Sequence, residues 1–153
     1  GIRIPFIVRW PGHIKSGQVN DHMLAFYDIM PTFCDLIGQK DYTEHFGNKK
    51  LTNDWFDGIS FAPTLLGNNS EQKEHDFLYW EFHETNQMAV RQGDWKLYVE
   101  RGKCKLFNLA TDIHEDHDLS AQYPDKVKEL VKIIHEQHTT PDVKEFNTVT
   151  IPQ

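Results

Sequence analysis

The sequence predicts an α+β fold: a small antiparallel sheet of three to four strands packed against a C-terminal helix, preceded by one strand and one or two helices. Three observations predict it. The run Phe77-Leu78-Tyr79-Trp80-Glu81-Phe82-His83 is aromatic and β-prone, and further short β-prone runs follow it across turn signals. Val127, Leu130, Val131 and Ile134 recur at helical spacing behind Pro124 and supply a cover for the sheet. Ahead of both, Gly1 to Gly12 is a nearly continuous apolar run bounded by prolines, the pattern of a strand buried on both faces.

The elements follow in order. The first strand needs neighbours, and no other run of its kind occurs, so the sequence reads as a segment with a cut edge. A polar stretch from His13 to His22 leads to a helix with Asp28 as N-cap, Pro31 in the first turn and Gly38 at its end. Ile29, Phe33, Leu36 and Ile37 form its apolar face. Gln39 to Asp57 reads as a polar surface loop. The punctuation then repeats at smaller scale, with Ser60 as cap, Pro63, Leu65, Leu66 and a stopping Gly67 predicting a short helix. Asn68-Asn69-Ser70 matches a glycosylation sequon within the following loop.

In the β-prone region Leu78, Trp80 and Phe82 share one face, and Phe77, Tyr79, Glu81 and His83 the other. Met88 to Arg91 and Trp95 to Val99 flank a turn at Gln92-Gly93-Asp94. Arg101-Gly102-Lys103 is a second turn, and Cys104 to Leu109 is the last strand. One face of this meander needs cover, which the helix starting at Pro124 gives until Thr139-Thr140-Pro141 ends it. The tail through Gln153 has no clear period.

Composition narrows the function. A hydrophobic fraction of 39% with 25% charged residues suits a folded globular chain of 153 residues. The formal charge of −7, with no Lys/Arg cluster, argues against nucleic acid or an anionic membrane as partner. No apolar run reaches membrane-spanning length. Cys34 and Cys104 stand far apart in apolar patterns and read as buried free thiols. The 12% aromatic content is rich for a chain this short; core packing is the favoured reading of any single ring, and surplus rings often line carbohydrate or aryl sites.

No complete catalytic constellation is present. His114 and His117 sit in a dense acidic patch, Asp112-Ile113-His114-Glu115-Asp116-His117-Asp118, that reads as a solvated turn. His135 and His138 lie one helical turn apart with no third metal ligand evident, and read as helix-end histidines complementing the dipole. Neither cysteine sits in a nucleophile motif, and no G-x-S-x-G or phosphate loop occurs. Glu81 and Glu84 bracket His83 where an aromatic strand ends, a place where site residues often emerge.

Several stretches, in order, resemble the C-terminal region of the type I sulfatases, the arylsulfatase branch of the alkaline-phosphatase-like superfamily. The opening residues through Trp10-Pro11-Gly12 match G-x-R-x-P-x-I-x-x-W-P-G, Asp28 to Thr32 match D-x-x-P-T, and Asp57 to Ser60 match D-G-x-S. Tyr79 to His83, Ala89 to Lys96, and Leu106-Phe107-Asn108-Leu109 with Thr111-Asp112 continue the match. The family's usual Pro-Gly after that Thr-Asp is replaced by Ile113-His114.

The resemblance implies a parent whose large α/β catalytic domain leaves residues 1–67 as its tail, with 68–153 as a C-terminal α+β subdomain. It implies hydrolysis of sulfate esters, aryl or carbohydrate, by a formylglycine and calcium mechanism. Those residues, and a catalytic Lys, are implied upstream of Gly1, so the chain is expected to hold no catalytic or metal residue and to be inactive alone. The implied partners are the missing catalytic domain and the sulfated substrate, and self-association through the orphaned first strand is expected. The implied location is periplasmic, extracellular or lysosomal. Substrate contact is implied for the Trp80 to Glu84 stretch, with His83 first and Trp80 and Glu84 beside it. Competing readings are a superfamily phosphodiesterase or phosphonate hydrolase, and a noncatalytic carbohydrate-binding module.

Overall fold

The computed structural model describes residues 3–39 and 57–153. Most of the expected polar loop from Gln39 to Asp57 lies outside them. The chain separates into two compact units, Gly1–His75 and Asp76–Gln153.

In the first unit, α1 (Ile29–Leu36) follows a 3₁₀ turn at Phe26–Asp28, and α2 (Ala62–Leu66) follows the segment 57–61. Both helices end on the glycine the sequence marked. Gly38 has φ of +77°, and the N–H groups of Gly38 and Gln39 donate back to the carbonyls of Asp35 and Cys34 at 3.0 and 2.8 Å. Gly67 and Asn68 repeat this on Thr64 and Pro63, so each end is a Schellman turn. The sequon lies at an exposed 3₁₀ turn, Asn69–Glu71.

Two expectations need correction here. Residues 3–10 form no strand; they are irregular and mostly exposed, with Ile7 92% exposed. A strand buried on both faces needs partners for its amides on both edges, and no described residues pair with it. Asp28 stands at the expected N-cap position of α1, but its side chain makes no capping bond. Its carboxylate turns back to the preceding turn and outward to distant groups, while Thr32 Oγ1 donates to the Asp28 carbonyl at 2.6 Å. α1 buries Pro31 and Thr32 behind the buried Asp28, and its expected apolar face is partly uncovered, Phe33 and Ile37 being exposed.

The second unit is the expected α+β architecture. Strands β1 (Leu78–Phe82), β2 (Gln87–Gln92), β3 (Trp95–Glu100) and β4 (Lys103–Asn108) pair antiparallel in sequence order. Gln92 faces Trp95 across Gly93-Asp94, and Glu100 faces Lys103 across Arg101-Gly102. Arg101 and Gly102 both have positive φ, 50° and 75°, the conformation a tight two-residue hairpin requires. α3 (Pro124–Gln137) lays Leu130, Val131, Ile133 and Ile134 on Met88, Val90, Leu97, Val99 and Leu106, which all share one sheet face by register. Tyr79, Trp95 and Cys104 pack against the same cluster. The strand alternation places Leu78, Trp80, Ala89, Lys96 and Phe107 on the opposite face.

The tail, aperiodic in sequence, is fastened in place. Val149 and Ile151 pack against the core, and the Pro152 carbonyl meets His135 Nε2 at 3.0 Å. Thr150 N–H donates to Asn86 Oδ1 at 2.8 Å while Asn86 Nδ2 donates to Thr150 Oγ1 at 3.0 Å.

Candidate functional site

The end of β1 gathers the residues the sequence singled out. Trp80 is half-buried in the strand opposite Ala89, on the face turned away from α3. His83 opens a 3₁₀ turn, His83–Thr85, that closes on Asn86 in the left-handed region at φ 56°. Glu84 on that turn is exposed. The structure brings His83 next to Phe82 and to a residue sequence reasoning passed over, Phe146, with ring centroids 6.3 and 5.0 Å away. Phe146 ends a 3₁₀ turn, Lys144–Phe146, in the tail. Thr148 Oγ1 donates to the His83 carbonyl at 2.6 Å, so the tail holds the turn that carries His83. The alternation Thr148-Val149-Thr150-Ile151 was the sequence signal for this contact, though too short to read by itself.

Glu81 does not accompany His83. As the alternate residue on the α3 face, it lies beside Tyr79, whose phenol donates to its carboxylate, and His138 Nδ1 donates to Glu81 Oε2 at 2.8 Å. Burial, then the hydrogen bond and charge of Glu81, push the Tyr79 phenol well above its usual range. These three groups fasten the end of α3 to β1. His138 is therefore a cross-link and not simply a helix-end histidine, and His135 is engaged by Pro152.

The acidic patch is a self-organised turn. Asp112 accepts the N–H groups of Asp116 and His117 at 3.1 and 2.8 Å, and those backbone bonds draw its carboxyl below the usual range. Asp118 accepts from Leu106 at 3.1 Å and Ser120 at 2.9 Å; burial opposes ionisation, yet the hydrogen bonds prevail and its carboxyl is lowered. Lys96, buried on the sheet face opposite α3, reaches Glu115 Oε1 at 2.6 Å and anchors the patch. Among the described residues no group of three or more His, Cys, Asp or Glu side chains could hold a metal ion. Cys34 and Cys104 form no disulfide, and burial raises the Cys104 thiol, which disfavours the thiolate. The described residues therefore do not fit a calcium ion, and the Cys104 thiol is not set up as a nucleophile.

The first unit explains two of the sequence motifs. Asp28 accepts Ala25 N–H at 2.6 Å, Ile59 N–H at 2.8 Å and His75 Nε2 at 2.9 Å, and Thr32 Oγ1 accepts Phe61 N–H at 2.9 Å. D-x-x-P-T and D-G-x-S are thus two halves of one knot. Gly58 is required there because a Cβ would stand 2.2 Å from the Tyr27 carbonyl oxygen. His22, near this knot, is lowered by burial against the opposing pull of Glu74 and Asp28.

Four antiparallel strands crossed by one C-terminal helix, with an aromatic strand end held by the tail, make the second unit an α+β unit. The chain belongs to the family of N-sulphoglucosamine sulphohydrolase C-terminal regions, which matches residues 1–144. Among its relatives, an ulvan-active sulfatase of Formosa agariphila is 34% identical over 99% of this chain and 36% of its own length. Human arylsulfatase A is 28% identical over 86% of this chain and 25% of its own. The crystal structure of Ps i-CgsB superposes with a TM-score of 0.61 at 26% identity, covering 83% of this chain and 27% of that one. The chain thus spans about a third or less of the length of these relatives. Among the described residues no helix is long and apolar enough to cross a membrane.

Proposed function

We propose that this chain is the C-terminal region of a sulfuric ester hydrolase acting on a sulfated polysaccharide, with the reaction centre in sequence outside these 153 residues. The observation that carries this reading is the 34% identity to an ulvan-active sulfatase across 99% of the chain. In this reading the formylglycine and calcium chemistry belongs to the catalytic domain. The chain supplies a substrate-facing edge at the end of β1, with His83 first, Glu84 beside it and Trp80 behind. The enzyme works in a periplasmic, extracellular or lysosomal compartment.

Turnover tests this directly. The 153-residue chain is expected to release no sulfate from an aryl sulfate or from ulvan, and the longer gene product carrying an upstream C/S-x-P-S-R motif is expected to release it. Activity that follows the isolated chain through purification sinks the assignment, as does an upstream sequence without that motif.

A further inference from the structure

Resting on the polysaccharide reading above, we propose that Phe82, His83 and Phe146 form a platform for an unsulfated pyranose of the substrate chain, with the C-terminal tail as part of the site. All three residues lie within the second unit. Phe82 and Phe146 are each 50% exposed although they flank a well-packed sheet. Their rings are inclined to the His83 imidazole by 57° and 50°, not stacked on it. Aromatic faces left unsatisfied by one another suit the C–H face of a sugar, which is apolar, while the rim of the sugar needs hydrogen-bonding groups.

Glu84 and Asn147 are exposed immediate neighbours of the platform's rings in sequence, and exposed Thr85 stands one position further on. Glu84 and Glu145 offer carboxylates on the two turns, with Lys144 on the tail turn and Arg101, whose N–H donates to the Asn86 carbonyl at 2.9 Å, as the cations beside them. Carboxylates accept hydrogen bonds from sugar hydroxyls, and aromatic rings take the apolar C–H face of a sugar without need of its sulfate, so the ring seated here is an unsulfated one. The tail makes the platform specific. Phe146 N–H donates to the Val143 carbonyl at 3.0 Å before it, and Thr148 ties to His83 at 2.6 Å after it. Thr150 is then locked to Asn86 through both side-chain amide atoms. Phe146 is held against His83 at no further cost in chain ordering when a ligand arrives.

The test is an NMR titration of the 153-residue chain with ulvan oligosaccharide and with the same oligosaccharide chemically desulfated. Saturable shifts at the Phe82, His83 and Phe146 rings with both probes are expected. Phe146→Ala is expected to weaken binding by about tenfold and Phe146→Trp to retain it. Thr148→Val, which frees the tail without touching a ring, is expected to weaken it by roughly threefold. Absent shifts, shifts that require the sulfate, or affinity unchanged by Phe146→Ala in a chain with native amide dispersion overturn the platform. Sulfate release by the longer protein is a separate readout, so loss of the platform with turnover intact leaves the enzyme assignment standing, and the reverse result removes that assignment alone.

Discussion

The imidazole of His75 closes on the carboxylate of Asp28, 47 positions earlier in sequence, with Nε2 2.9 Å from Oδ1 and 3.0 Å from Oδ2. Asp28 is 1% exposed, so a carboxylate there needs its full set of donors. It receives them from three separate stretches: Ala25 before it, Ile59 across the first unit and His75 at that unit's end.

Asp28→Ala is expected to destabilise the first unit by roughly 3 kcal/mol, because two backbone donors and an imidazole lose a buried acceptor together. His75→Ala, which removes one donor, is expected to cost roughly 1 kcal/mol. Amide hydrogen exchange localises the effect: Ile59 and Phe61 should exchange faster in Asp28→Ala while β2 and β3 keep their protection. Unchanged exchange at Ile59 rules the knot out as a stabilising unit.

Gly58→Ala is expected to be worse than Gly67→Ala. A methyl at position 58 meets the Tyr27 carbonyl oxygen at 2.2 Å and must displace backbone, whereas at position 67 it meets nothing within 4 Å. The second change costs about 1 kcal/mol through its positive φ alone, and the first roughly 3 kcal/mol or more. Thermal melting of the two variants compares them, and equal midpoints contradict the close approach.

Tyr79, Glu81 and His138 are expected to act as one group. Glu81→Ala strands both donors and is expected to cost roughly 2 kcal/mol, Tyr79→Phe about 1 kcal/mol. Urea unfolding of the double variant should show coupling of about 1 kcal/mol. Strict additivity means that the shared acceptor contributes nothing.

Alkaline titration reports on Tyr27. Burial first, then the charges of Asp28 and Asp57, raise its phenol from 10.0 to about 12. The fold therefore favours the neutral form. Its contribution to stability is whole below pH 10 and is lost as pH rises through about 12. Near-ultraviolet titration of wild type against Tyr27→Phe isolates the group, and a difference spectrum that titrates at the ordinary phenol value contradicts the burial. His22 carries the opposite sense: burial lowers it, so neutral imidazole is favoured and its contribution, whole above pH 6.5, falls away below that value.

Much of the second unit was legible in sequence. The alternation in β1, the turns at Gly93 and Gly102, and the stripe from Val127 to Ile134 are short-range patterns, set by side-chain period and local backbone sterics. The glycine stops at Gly38 and Gly67 were legible for the same reason. The candidate site was legible only at its His83 end. Phe146 lies 63 residues further on in an aperiodic tail, and no local pattern states which distant strand end that tail will meet.

By itself, then, the sequence determined the strands and helices of the second unit, the helix ends and the sulfatase resemblance. Only the tertiary structure decided that the Asp28 carboxylate gathers Ile59 and His75 instead of bonding back onto α1, and that residues 3–10 form no strand. It also decided that Glu81 turns to His138 while the tail secures His83. The physical reason is common to all of these. Helix and turn formation is settled among residues a few positions apart, whereas a buried polar group or an unpaired strand takes its partners from whichever distant segments fold against it.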